Sequence, residues 1–341
     1  MISLADLGAA VLLLGMIMYT LFGGADFGGG IWTAFASGPR KKEQQDSLFQ
    51  AIGPVWETNH VWLIFVVVVL FMVFPKGFAY LFIALLAPLV IALVGINFRG
   101  AAFAFRHFGQ QVGKGQRPPL AGTFSISSLL TPFALGMTVT AVASEKIRIV
   151  GGEAVSSPWA WVTPFTLVGG LVGIAICAYL APIYMTVRTQ GALREDFRKK
   201  GKIAGGVLAF LALFEIPVGA VFAPHFVEKL FLFRSLACVS CAMAGGLATW
   251  ILLGKKRYLA AQFGAAFTVS FLLLGFGAAM YPDLVLGELG IEAAAAPRET
   301  LEIFFLVIPF GLALLVPALI FLYWTFRGEP NPERSADDRE H

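Results

Sequence analysis

Residues 154–187 read AVSSPWAWVTPFTLVGGLVGIAICAYLAPIYMTV, thirty-four positions without an Asp, Glu, Lys or Arg. About 20 apolar residues in a helix cross the hydrocarbon core of a bilayer, so this stretch can span with residues to spare. Charge-free runs recur at 77–98, 118–144, 258–282 and 303–326, with lengths of 22, 27, 25 and 24 residues. The 341-residue chain is 58% hydrophobic and 13% charged, with a mean hydropathy of +0.78. Soluble domains carry about 25% charged residues. Residues 1–8 lack a basic n-region, and no A-x-A cleavage site follows, so the first apolar stretch is expected to persist as a mature helix.

A chain that crosses lipid without a closed barrel must satisfy its backbone within helices. The expected fold class is therefore an all-α polytopic membrane protein. Nine spans are predicted, at 7–35, 51–74, 78–105, 120–144, 159–187, 203–222, 231–253, 259–280 and 303–326. The sixth is the weakest, because Glu215 and Pro217 interrupt it. The loops after odd-numbered spans hold 18 Lys and Arg residues and those after even-numbered spans hold 6. The positive-inside rule then places the N-terminus outside and the C-terminus in the cytoplasm. Residues 1–327 are expected to form one transmembrane helical domain, and 328–341, a polar and Pro-containing tail, to be disordered. The net charge of +4 is a topology signal. No basic patch with interleaved aromatics is present, so nucleic acid is not an expected partner.

Three charged residues, Asp26, Glu57 and Arg99, fall inside the first three of these spans. Each costs roughly 2.5–3.5 kcal/mol at a helix centre, so a chain that keeps all three uses them or pairs them. Asp26 lies 14 residues before Arg40, about 20 Å of helix from the expected cytoplasmic edge. Glu57 and Arg99 lie roughly 10 Å in from theirs. Two carboxylates and a guanidinium on consecutive helices suit a proton relay. They equally suit a buried Arg99–carboxylate pair that fixes packing. One Arg neutralises one acid, and a second acid is then left to titrate.

Asp26 stands in GGADFGGG (23–30). Gly24 and Gly28 form a small-xxx-small face that admits a close neighbour. The run follows no strand, so it is not a phosphate loop. So many glycines could also break the helix, but close packing is the favoured role. Glu57 stands in AIGPVWETNHVW (51–62). Glu57 and His60, three apart, share a helix face, and Trp56, Asn59 and His60 make a polar-aromatic turn. That turn could serve a proton path, a cofactor wall or a haem ligand. A lone intramembrane His more often hydrogen-bonds a carbonyl. Glu215, near Pro217, reads equally as functional or water-facing. Cys238 and Cys241 read as small buried hydrophobes, and with Cys177 the odd count implies no disulfide framework. No metal site, nucleophile–base pair or nucleotide fingerprint is expected.

The stretches GGADFGGGIW (23–32), AIGPVWETNHVWLI (51–64) and FRGAAFAFR (98–106) together resemble the signature segments of subunit II of cytochrome bd-type quinol oxidases. The likeness is strong over 7–106 and rests on spans and topology beyond. It implies a haem-free subunit packed on a subunit I that carries b haems and haem d. The complex would oxidise membrane quinol, reduce oxygen to water and draw protons from the cytoplasm, in a bacterial plasma membrane. The chain would not be active alone. In the family, an acid on the first span and an acid after a Trp on the second belong to a proton path, which maps to Asp26 and Glu57. Arg99 takes an electrostatic, pairing role. Trp56, Asn59 and His60 support the path, and relatives with Gln at the position of His60 argue against an obligatory ligand there. Some members also carry an acid near Ala104, absent here. A structural quinone and a small accessory subunit are further options that the resemblance raises. Two other classes remain open: a proton-coupled secondary transporter with discontinuous helices at a midplane site, and a purely structural scaffold for a redox partner.

Overall fold

The computed structural model describes residues 3–52, 56–111 and 118–325; within these, the side chains of 52, 56–57, 106–111, 118–121 and 323–324 lie outside the description, as does the tail 328–341. Helix α1 (Leu4–Ala34) starts at a capping box, in which Ser3 Oγ accepts from Asp6 N and Ser3 N donates to the Asp6 carboxylate. Such reciprocal bonds satisfy two of the orphan N–H groups of a helix start. The glycine run does not break it: α1 is continuous through residues 23–30. A short helix α2 (Lys41–Ile52) follows, then α3 (Trp56–Val73), α4 (Pro75–Ala84), α5 (Leu86–Gln111) and α6 (Pro118–Ala141).

The second and third expected spans need correction here. The third, expected as one helix over 78–105, is divided between α4 and α5, and α4 turns 119° from α3. Pro75 and Pro88 cause both breaks. A proline has no N–H to donate, and its ring collides with the carbonyl four residues back. Helix α3 therefore ends at Val73, two residues before Pro75, and α4 ends at Ala84, whose carbonyl Pro88 cannot bond. The sixth expected span behaves in the opposite way. Helix α8 (Gly191–Phe222) runs unbroken through Glu215 and Pro217, as neighbouring helices in a bundle allow.

The remaining elements are α7 (Pro164–Arg188), α9 (Pro224–Leu230), α10 (Phe233–Gly254), α11 (Tyr258–Met280), α12 (Ile291–Ala294) and α13 (Arg298–Thr325). Among the described residues eight helices are long and apolar enough to cross a membrane, or nine if α3 and α4 count as one broken span. This is an all-α polytopic membrane protein. Two small hairpins decorate the loops: β1 (Ile149–Val150) with β2 (Glu153–Ala154), and β3 (Asp283–Val285) with β4 (Leu289–Gly290). They were not anticipated. Gly151 and Gly152, both at positive φ, supply the primed two-residue turn that a hairpin twist favours. Glu288 ties the two hairpins together by accepting from Ile149 N at 2.8 Å and pairing with Arg148 at 3.2 Å.

Helix α7 is the organising element, packed on α1, α6, α8 and α11. Its buried Ile176, Leu180 and Ile183 meet Leu208 of α8, Leu253 of α10 and Ala265 and Val269 of α11. A β-carbon placed on Gly28 of α1 would stand 2.0 Å from the Cys177 carbonyl of α7. Only glycine permits that approach, so the small-residue face does its expected work. Helix α5 packs chiefly on α6. The most apolar stretch of α13 has no buried residue.

Candidate functional site at a buried arginine

Arg99 projects from α5 into the space between α1 and α6 and is 1% exposed. Its Nη2 donates to Asp26 Oδ1 at 2.8 Å and to the Asp26 main-chain oxygen at 3.0 Å, and Nη1 donates to Asp26 Oδ2 at 3.1 Å. Nε donates to Ser128 Oγ at 3.1 Å, and that hydroxyl donates to the Phe124 carbonyl at 2.7 Å. The guanidinium carbon lies 4.8 Å from the Phe27 ring centroid and 5.0 Å from that of Phe124. Arginine suits such a place, because its planar fork meets a carboxylate bidentately and stacks on aromatic faces. Ser128 keeps the fork in plane, and the two phenyl rings exclude water above and below it.

The pairing corrects the depth estimate. Helix α1 ends at Ala34 rather than near Arg40, so Asp26 lies about 12 Å of helix from that end, not about 20 Å. Asp26 and Arg99 share one level.

Phe27 connects the pair to α3. Its ring centroid is 6.2 Å from that of His60, which also lies 6.4 Å from Tyr19. Asn59 is buried, and Trp62 stacks on Phe22 of α1. The backbone of Glu57 sits in the first turn of α3, about 4.5 Å along the axis before His60. The side chains of Trp56 and Glu57 lie outside the described residues. The structure thus brings Asp26, Arg99, Asn59 and His60 into one neighbourhood, with the Glu57 backbone at its edge. Ser128, Phe27 and Phe124 were not singled out from sequence. The Ser127-Ser128 pair inside an apolar run was a readable signal, whereas the two phenylalanines, among thirty-two, carried none.

Glu215 stands apart from this group. It lines an apolar cavity of about 1160 Å³ between α1, α7, α8, α10 and α11, together with Tyr19, Cys177, Cys238 and Thr268. Its Oε1 is buried without a hydrogen-bond partner among the described residues. Cys177 is buried, whereas Cys238 and Cys241, expected as buried hydrophobes, are only partly so, because α10 turns that side toward the cavity and the surface. A polar clamp ties the loop ends together. Arg40 donates to both Asp196 oxygens at 2.6 and 2.7 Å, Gln44 joins Asp196 at 3.0 Å, and Lys200 donates to Gln44 at 2.7 Å. Lys200 also lies 5.0 Å from the ring of Trp32, whose Nε1 donates to the Ala178 carbonyl.

Comparison with known proteins shows the family of the chain. A family model described as cytochrome bd terminal oxidase subunit II matches residues 4–326. Cytochrome bd ubiquinol oxidase subunit 2 of Bacillus subtilis (strain 168) is 28% identical over 222 residues, covering 62% of this chain and 63% of the relative. Cytochrome bd-I ubiquinol oxidase subunit 2 of Escherichia coli (strain K12) is 24% identical over 202 residues, covering 57% and 52%. The matched part thus spans between half and two thirds of these relatives. A chain of the solved bd oxidase from Geobacillus thermodenitrificans shares the fold, with a TM-score of 0.80 at 22% identity, over 95% of this chain and 98% of that one.

Proposed function

Because the chain belongs to the cytochrome bd terminal oxidase subunit II family, we propose that it is the haem-free second subunit of a membrane quinol oxidase. In this reading it packs against a haem-bearing subunit I in a bacterial plasma membrane, with its N-terminus outside and its C-terminus in the cytoplasm. Subunit I holds the b haems and haem d, oxidises membrane quinol and reduces oxygen to water. The present chain supplies part of the route by which cytoplasmic protons reach that oxygen site, and it has no activity alone.

The observation that carries this reading is the Asp26–Arg99 ion pair, held in a dry interior beside the first turns of α3. A charged pair there would be a net cost if packing were its only task, since well-packed apolar residues serve packing as well or better. With Arg99 committed to Asp26, Glu57 is the acid assigned to carry protons inward. Asp26, set in place by Arg99, fixes the electrostatics of the next step. Asn59 and His60 line the approach, and Trp56 is assigned a supporting role. Helices α1 and α5 are continuous through Asp26 and Arg99, which favours this reading over a carrier built on unwound helices. The unpacked face of α13 is the apolar surface offered to a partner. The cavity beside Tyr19, being almost wholly apolar, has the chemistry to take the prenyl tail of a structural quinone.

The test is Glu57→Gln in the complex isolated through this chain. Oxygen reduction should slow roughly tenfold or more, the order that positioned proton transfer supplies, while the reduced-minus-oxidised haem spectrum stays unchanged. Full activity would sink the relay, and a lost spectrum would make Glu57 an assembly residue.

A further inference from the structure

We propose that the corner formed by the start of α8 and the α10–α11 turn binds the phosphate of an anionic phospholipid, whose acyl chains lie along the outer faces of α8 and α10. Lys202 of α8 reaches this corner, with Nζ 5.6 Å from the Trp250 ring centroid and 3.5 Å from where a β-carbon of Gly254 would stand. Gly254 ends α10, and Lys255, Lys256 and Arg257 follow it directly. Arg194, one α8 face earlier, stacks on Tyr258, the first residue of α11, at 5.0 Å. Two chain segments more than fifty residues apart thus bring their cations to one place.

The local acids are already spent. Glu195 pairs with Arg198, and Asp196 with Arg40. Among the described residues, Lys202, Lys255, Lys256 and Arg257 have no carboxylate within 4.0 Å. The α11 N-terminus has no side-chain cap, so its free N–H groups and positive dipole end face the same corner. Lys256 sits at φ 58° as the C′ residue of a Schellman cap on α10, in which Arg257 N donates to the Leu252 carbonyl at 2.9 Å and Lys256 N to that of Leu253 at 3.3 Å, a position that glycine fills most easily. Three consecutive cations in one tight cap repel one another, and an anion seated between them removes that repulsion. The cations that no ion pair takes up therefore point to an anion at this corner.

The apolar half of the site lies directly alongside. Ile203, Val207 and Phe210 of α8 and Leu247, Trp250 and Ile251 of α10 are all exposed. A β-carbon placed on Gly206 would stand 3.7 Å from the Trp250 ring, and its absence leaves a shallow groove between the helices. Lys202 and Lys255 flank the apolar stretches immediately, at headgroup level, where basic pockets between helices hold acidic lipid heads and amphipathic Trp rings sit. A phospholipid matches both halves. Free phosphate matches only the first.

The experiment uses the full chain with any subunit that co-purifies, freed of lipid by detergent washing. Phosphatidylglycerol, phosphatidylcholine and inorganic phosphate are titrated in turn, read by native mass spectrometry and thermal unfolding. Phosphatidylglycerol should bind and stabilise, with affinity falling as salt rises. Lys202→Gln/Lys256→Gln/Arg257→Gln should weaken it roughly a hundredfold, while the corresponding Arg substitutions at the two lysines retain it. Lys256→Gly relieves the turn, so it should raise stability without lipid yet lower phosphatidylglycerol affinity roughly fivefold. Unchanged affinity in Lys256→Gly, equal binding of phosphatidylcholine, or stabilisation by inorganic phosphate alone would each overturn the proposal.

Discussion

Gly30 of α1 and Ser128 of α6 approach so closely that a β-carbon on Gly30 would stand 1.9 Å from Ser128 Oγ. That hydroxyl is the acceptor for Arg99 Nε, so the packing of two helices controls the third hydrogen-bonding edge of the buried guanidinium. Gly30→Ala should therefore cost about 1–3 kcal/mol through overpacking, and it should displace Ser128 from Arg99. Gly122→Ala, where nothing lies within 4 Å, is the matched control and should leave the melting temperature unchanged or slightly raised. Equal melting temperatures for the two variants would deny the contact any role.

Arg99→Leu leaves the Asp26 carboxylate buried without its partner. The expected loss is about 3–5 kcal/mol, seen as a lower thermal midpoint. Asp26→Asn introduced into Arg99→Leu should recover part of it, because an amide is cheaper to bury than a charge. If the double variant is no better than Arg99→Leu alone, the pair is not the source of the cost.

The clamp between Arg40 and Asp196 joins α2, which leads toward Glu57, to α8. The bidentate geometry is good, but both side chains are partly exposed, at 37% and 16%. A double-mutant cycle with Arg40→Ala and Asp196→Ala should accordingly give no more than about 1 kcal/mol of coupling. Hydrogen exchange in α2 should quicken in either single variant, and an unchanged α2 would show that the clamp does not hold it.

On the face of the loops, His225 Nδ1 lies 2.7 Å from Glu145 Oε2, and His225 N donates to Glu145 Oε1 at 3.0 Å. The Glu145 carboxylate beside the imidazole raises its pKa above the ordinary 6.5. A raised folded-state value means stability that is fully present below about pH 6.5 and is lost as pH climbs through the folded value. Wild type should thus melt above Glu145→Gln in mildly acidic buffer, and the gap should close in alkaline buffer. The exposure of His225 keeps the gap small. A gap that widens with pH would reverse the assignment.

The membrane class and the all-helical fold were legible in the chain, and so was the placing of Asp26, Glu57 and Arg99 inside its apolar stretches. Helix interruptions were partly so. Pro75 and Pro88 broke helices while Pro217 and Pro132 did not, because tolerance of a proline depends on what packs around the freed carbonyl. Helix α1 stops at Ala34, where its glycine-rich end meets the α2 turn, close to the expected span end at 35 and short of the first basic loop residue.

Apolar run length by itself determined that this protein crosses a membrane, because transfer of a long helix into lipid is a sum over its own residues. The cost of three intramembrane charges likewise marked Asp26, Glu57 and Arg99 as candidates before any neighbour was known. Which acid Arg99 takes was decided only by tertiary structure. That choice depends on where α5 leans against α6, on the hydroxyl of Ser128 and on two phenyl rings from separate helices. Such contacts are between residues 29 and 73 positions apart in the chain, and a bidentate hydrogen bond is set by ångström-scale geometry that local sequence does not encode.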